Sequence, residues 1–198
     1  MVTIYLCPLG QKPTEELVKT LAKPYFPCAV PEILRQQRGK PYFTGETGVH
    51  FSVSHSGELV AVAFSDAPVG IDLQQHRSHG DAAARHQKLA SRYFHPKEQE
   101  YVAEDLWEGF FRVWTAKESF VKRTGRGIDH HHAEICILPQ GESWQDENGF
   151  FRQTTLPGYT LTLSTAQPTD WELRPPCVKG AVSEADWGID NPSVTTLP

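Results

Sequence analysis

Three short β-type runs, Val49 to His55, Leu59 to Ser65 and Val69 to Gln74, crowd together with only Ser56-Gly57-Glu58 and Asp66-Ala67-Pro68 between them. Helical patterns follow at once. Asp81 to Phe94 is helical, Pro96 suits the first turn of a helix running to about Glu104, and Asp105 to Lys122 carries the strongest helical pattern, ended by Gly125 and Gly127. Strand-like pieces return at Ala133 to Leu138, Phe150 to Thr154 and Tyr159 to Thr165. Strands, then helices, then strands predict an α+β fold rather than a doubly wound sheet. The three adjacent runs predict an antiparallel meander.

Before them, Thr3 to Leu6 reads as a strand and Thr14 to Ala22 as a helix that Thr14 could cap. Pro24, Pro27 and Pro31 then break the pattern ahead of a basic turn from Arg35 to Pro41. The end from Pro175 reads as an extended tail.

A chain of 198 residues can bury one good core or two small lobes. Its formal net charge of -5 argues against a general attraction to nucleic acid, so an anionic ligand needs a local basic cluster. No apolar run approaches the roughly 20 residues of a membrane span. Cys7, Cys28, Cys136 and Cys177 are scattered without metal-site spacing. With no secretory signal pattern at the start, reduced thiols in the cytoplasm are the expectation.

Plotted at about 100° per residue, the strong helix places Trp107, Phe110, Phe111, Trp114 and Val121 on one stripe, with Glu118 inside it. A carboxylate there faces a desolvation cost of several kcal/mol unless it is neutralised. Lys122, one turn on, and Lys117, its neighbour, are the plain partners. A metal ion is the sharper one, and the helix alone favours the salt bridge.

In Val69 to Gln74, Asp72 and Gln74 offer oxygens on one face, and Gly70 leaves room beside Asp72. Magnesium takes one or two carboxylates plus waters and phosphate oxygens, which Asp72 and Glu118 would suit. Asp72 as a solvent-side residue of an edge strand is the competing reading. In Phe51 to Ser56, Phe51, Val53 and His55 share one face and Ser52 and Ser54 the other. A meander would run its first and third strands parallel, with His55 and Asp72 at the same end, about 10 Å apart. Arg35, Arg38, Lys40, Lys122, Arg123 and Arg126 are candidate phosphate contacts or a solvated surface.

Ser54 or Ser56 with His55 makes a poor hydrolase, because adjacent strand residues face opposite sides and no Gly-x-Ser-x-Gly turn occurs. Of the histidines in Asp129 to His132 at most His130 and His132 could share an ion, and this stretch is expected to open a strand at the surface.

Phe51-Ser-Val-Ser-His-Ser-Gly57, Val69-Gly-Ile-Asp-Leu-Gln74 and Trp114-Thr-Ala-Lys-Glu-Ser-Phe-Val-Lys122, in that order, resemble the 4'-phosphopantetheinyl transferases of the larger, surfactin-synthetase-activating type. Gly39-Lys-Pro41 and the stretch from Arg92 to Glu98 are also similar to family landmarks. The resemblance implies transfer of the 4'-phosphopantetheine arm of coenzyme A to a serine of an apo acyl or peptidyl carrier protein, releasing 3',5'-ADP. A non-catalytic relative that binds coenzyme A or a carrier is the alternative.

Carried over, the resemblance makes Asp72 and Glu118 magnesium ligands, with Gln74 or water completing the shell. Glu118 and Lys122 become catalytic. His55, Ser54, Lys40 and Lys117 lie near the coenzyme A phosphates or nucleotide, with Arg35 and Arg38 standing in for a basic segment that larger relatives carry earlier in the chain. The fold implied is two pseudo-twofold-related lobes, each a small antiparallel sheet with packed helices. Their expected extents are 1–67 and 68–175, with a tail at 176–198. A cytoplasmic monomer is implied, without nucleic-acid or membrane partners, meeting its carrier near Phe120, Arg123 and Arg126.

Overall fold

In the first strand, β1 (Val2–Pro8), Val2, Ile4 and Leu6 turn one way and Tyr5 and Cys7 the other, and both sides are buried. A strand apolar on both faces belongs inside a sheet that is covered on both faces. The computed structural model describes residues 1–10, 14–76, 82–127 and 130–174. After β1 come α1 (Thr14–Ala22), a two-stranded hairpin of β2 (Ile33–Arg35) and β3 (Pro41–Phe43), then β4 (His50–Ser56) and β5 (Leu59–Ser65). β5 pairs antiparallel with both β1 and β4. Tyr5, Val60, Val62 and Phe64 pack on Val18 and Ala22 of α1.

The second half repeats the scheme. It runs β6 (Gly70–Gln75), three helices α2 (Ala82–Tyr93), α3 (Pro96–Glu104) and α4 (Glu108–Thr124), then β7 (Ser143–Asp146), β8 (Gly149–Leu156) and β9 (Tyr159–Thr165). β9 pairs antiparallel with β6 and β8, as β5 does with β1 and β4. Each half is therefore a strand, helical material and a hairpin whose second strand returns beside the first. Apolar faces of both sheets meet in one core that includes Ile4, Ala61, Ile71, Leu73 and Leu161. The last described strand, β10 (Trp171–Arg174), pairs parallel with β1, so it returns to the first sheet. No described helix is long and apolar enough to cross a membrane.

The α+β class holds, and α1 spans the expected residues. The residue before Thr14 lies outside the described ones, as do Asp81, Asp129 and the stretch from Pro175. The expected lobe boundary near Pro68 falls in the turn between β5 and β6.

Three expectations fail. The meander stops after its first hairpin, because the free edge of β5 is taken by β1 and β6 joins the other sheet. Residues 133–138 form no strand: a 3-10 turn covers His130–Glu134, and side chains satisfy the backbone beyond it. Lys117 donates to the Ile135 carbonyl, Asn148 to that of Cys136, and the Ile137 N–H donates to Glu98. With those groups engaged, no ladder is needed. His132 is buried rather than on the surface.

Candidate active site

Although β4 and β6 belong to different sheets, they run side by side, joined by side chains rather than by a ladder. Ser52, Ser54 and Ser56 accept hydrogen bonds from the N–H groups of Ile71, Leu73 and Gln75 at 3.0, 3.1 and 3.0 Å. Those are the alternate N–H groups that a strand paired on one edge leaves unsatisfied. The expected parallel course of these strands therefore holds, through a serine seam instead of a meander.

Gly70 opens β6 where α4 crosses it. A Cβ there would lie 1.9 Å from the Ser119 carbonyl oxygen. The space that the sequence reading placed beside Asp72 is filled by α4 itself, which brings the helix's acid and lysine to the strand.

Asp72 is 1% exposed. Its Oδ1 accepts from Lys122 Nζ at 2.6 Å and from Ser54 Oγ at 2.8 Å, and its Oδ2 accepts from Gln74 Nε2 at 3.2 Å. This is a buried, triply served carboxylate and not the solvent-side residue of an edge strand. Gln74 turns its amide nitrogen to Asp72, so it serves the carboxylate as a donor and offers that position no second acid. Ser54, expected against coenzyme A, is buried and holds Asp72 and Leu73 in place.

Glu118 is 9% exposed, and its Oε1 is buried without a hydrogen-bond partner. Both lysines that the helix offered it are engaged elsewhere: Lys122 with Asp72, and Lys117, 1% exposed, with Glu98 at 2.8 Å. Burial first, and then the neighbouring Asp72 charge, push the Glu118 carboxyl up to about 7 against the pull of Lys122. Lys117 is thereby removed from the candidate phosphate contacts, because its ammonium lies in a closed ion pair behind α4.

Lys122, the partner of Asp72, also lines a cleft between the halves. A cavity of about 220 Å³ is lined by Lys40, Pro41, Phe51, Val53 and Lys122. It adjoins a larger one of about 570 Å³ that includes Arg126 and His131, the two sharing Arg38, Val121, Gly125 and Gly127. The hairpin tip closes on the end of α4: Lys40 donates to the Arg123 carbonyl and Arg38 to that of Arg126. Cations suit the negative C-terminal end of a helix. Burial, then the nearby Arg123 charge, lower the Lys40 ammonium to about 8.

His55 is exposed, two residues beyond Val53 on the same strand face and thus flanking the cleft. Arg35 turns back on its own hairpin, donating to the Gly39 carbonyl at 3.0 Å. Of the residues expected to meet a carrier, Phe120 is buried and Arg123 is bonded to Ser164 and Asn148, leaving Arg126 exposed.

The described residues hold no group of three or more His, Cys, Asp or Glu able to bind a metal. A strained pair of carboxylates, one unsatisfied, beside a basic cleft is nonetheless the donor set magnesium prefers when waters and phosphate oxygens complete its shell. Asp72 and Glu118 fit that ion. Glu98 and the serine seam were not anticipated as parts of the site. Serines at every second position from 52 to 56 are the signal that pointed to the seam.

A duplicated α+β fold with two acids and a lysine at the junction of its halves defines the class. Residues 68–174, just over half of the 198, match the family model described as the 4'-phosphopantetheinyl transferase superfamily, and the chain belongs to that superfamily. It is 34% identical over 149 residues to the 4'-phosphopantetheinyl transferase Sfp of Bacillus subtilis (strain 168), covering 67% of this chain and 62% of that one. It is 33% identical over 118 residues to the transferase gsp of Aneurinibacillus migulanus, covering 58% and 43%. With the transferase AcpT of Salmonella typhi it shares 29% identity over 154 residues, 77% and 76%. The chain thus spans about half the length of the gsp and Sfp relatives.

Proposed function

We propose that this protein transfers the 4'-phosphopantetheine arm of coenzyme A to a serine of an apo acyl or peptidyl carrier protein, with magnesium, releasing 3',5'-ADP. The observation that carries the reading is the buried, unpartnered Glu118 oxygen beside the Asp72–Lys122 pair, at the edge of a basic cleft. Such a group is costly to the fold unless a cation or proton meets it in function.

Asp72 and Glu118 hold the ion, which supplies charge neutralisation on the diphosphate. Lys122, already at the acids, faces the phosphates, and His55 flanks them from β4. Lys40 and Arg38 line the cleft's nucleotide end, with Arg126 across from them. The carrier serine hydroxyl attacks the phosphorus that bears the pantetheine arm. A new bond forms from the serine oxygen to that phosphorus, and the bond from it to the bridging oxygen breaks. Glu118, as the carboxylate, takes the serine proton. The leaving 3',5'-ADP carries the charge that Lys122 stabilises.

The protein acts as a monomer in this reading, because both halves of the cleft come from one chain, and its scattered cysteines suit the cytoplasm. The lobes in this reading follow the expected division at 1–67 and 68–175, with β10 reaching back onto the sheet of the first.

Intact-mass measurement of an apo carrier protein after incubation with this protein, coenzyme A and magnesium tests the proposal. A gain of one phosphopantetheine supports it. No gain on peptide, polyketide and fatty-acid carriers, with coenzyme A still bound, would instead favour a binding relative without transferase activity.

A further inference from the structure

Lys117 and Glu118 are neighbours on α4, and their side chains leave the helix about 100° apart. Glu118 turns to Asp72 of β6, whose charge it feels, while Lys117 turns to the other side and meets Glu98 of α3. The Lys117 ammonium donates to both Glu98 oxygens, at 3.1 and 2.8 Å, and to the Ile135 carbonyl. Glu98 also accepts from the N–H groups of Ile137 and His95, each at 2.7 Å. One carboxylate, itself fully buried, therefore gathers donors from the start of α3, the middle of α4 and the segment that follows the Gly125–Gly127 loop.

An ion pair this deep is a poor stabiliser, since apolar side chains of the same volume often serve a fold equally well. Direction is what it adds. Apolar side chains tolerate a small roll of a helix, whereas this set of hydrogen bonds is satisfied at one rotation and one height of α4. That rotation is the one that turns Glu118 toward Asp72.

We propose that Glu98 and Lys117 are positioning residues, whose buried pair sets the roll of α4 so that Glu118 and Asp72 meet as one site for a divalent cation. The inference rests on the reading of those two acids as a cation site. Residues that orient metal ligands from behind typically contribute about 10–100-fold to metal affinity.

The test uses the full chain with Mn²⁺ as probe, the free ion being counted by electron paramagnetic resonance and folding by thermal unfolding. In the combined variant Glu98→Leu with Lys117→Met, the melting temperature is expected to fall, because Ile137 and His95 lose their acceptor and Ile135 its donor. The Mn²⁺ dissociation constant is expected to rise about tenfold or more. A merely structural pair would leave that constant unchanged in a folded variant, and this result overturns the proposal. Should the double variant fail to fold, Glu98→Asp decides by the same readout, because it keeps both charges and shortens one arm. A wild-type chain that binds no Mn²⁺ overturns the cation site itself together with this inference, whereas equal binding by wild type and variants overturns the inference alone.

Discussion

Lys122 Nζ lies 2.6 Å from Asp72 Oδ1, although Glu118 stands one turn before it on the same helix. The lysine bridges to the other element, and the helix's own acid is left with a buried, unpartnered oxygen. A stability-driven design would have closed the Glu118–Lys122 pair along the helix.

Replacing Glu118 with Gln should therefore separate activity from stability. Transfer to an apo carrier, read by intact mass, is expected to fall by about 10²–10⁴-fold, the scale of a lost acid–base group. The melting temperature at pH 8 is expected to hold or rise, because a neutral amide replaces a buried charge. A large loss of stability would show that Glu118 is a structural partner after all.

The same carboxyl gives a pH dependence whose sign is fixed. Its folded value of about 7 stands above the ordinary 4.5, so the folded protein keeps a proton that the unfolded chain releases between those values. Stability falls as pH rises through that window, and the loss is complete above about 7, worth about 3 kcal/mol. Denaturant midpoints from pH 4.5 to 8 should show the decline in the wild type and a flatter profile in Glu118→Gln. Magnesium should restore stability at pH 8 only where the glutamate is present.

The class of fold was legible in the order of strands and helices, and Glu118 stood out as an acid in an apolar stripe, whereas Asp72 and Lys122 were singled out with it only through the family resemblance; the structure brings the three together. What was not legible is pairing between distant strands. Nothing local to Val69–Gln74 says that its partner is Tyr159–Thr165 rather than Leu59–Ser65, since both are apolar runs behind turns. Ala133–Leu138 looked like a strand because its residues suit one, yet Glu98 and Lys117 capture its backbone from far along the chain. Lys117 was set near the phosphates by the family motif, and nothing in the helix could show that Glu98 meets it on the other side.

Gly70 is where strand and helix touch. A methyl group there would meet the Ser119 oxygen at 1.9 Å and the Arg123 nitrogen at 2.5 Å, both backbone atoms that cannot swing aside. Gly70→Ala is expected to cost about 3 kcal/mol by denaturant unfolding, at the upper end for overpacking. It should also lower transfer more than the stability loss explains, because α4 carries Glu118 and Lys122 away from Asp72.

Gln74 donates to Asp72 at 3.2 Å, so Gln74→Glu exchanges a donor for a second negative charge at the same acid. Without metal the variant should be less stable at neutral pH. With it, Mn²⁺ affinity should rise, since a third carboxylate joins the site. Calorimetric titration with the ion checks the second effect and thermal unfolding the first. Unchanged affinity would mean that position 74 faces away from the ion.

Lys40 supplies a prediction about the nucleotide end of the cleft. Burial and Arg123 hold its ammonium at about 8, and a bound phosphate would offer the opposite charge it lacks. Binding should then pull its value back up, so that at pH 8.5 the protein takes up a fraction of a proton as 3',5'-ADP binds. Calorimetry in two buffers of different ionisation enthalpy measures that uptake directly. Lys40→Met should abolish it and weaken binding by roughly tenfold, the loss of one charge-assisted hydrogen bond worth about 1.5 kcal/mol. If the wild type binds the nucleotide without proton uptake, Lys40 serves only to cap the end of α4.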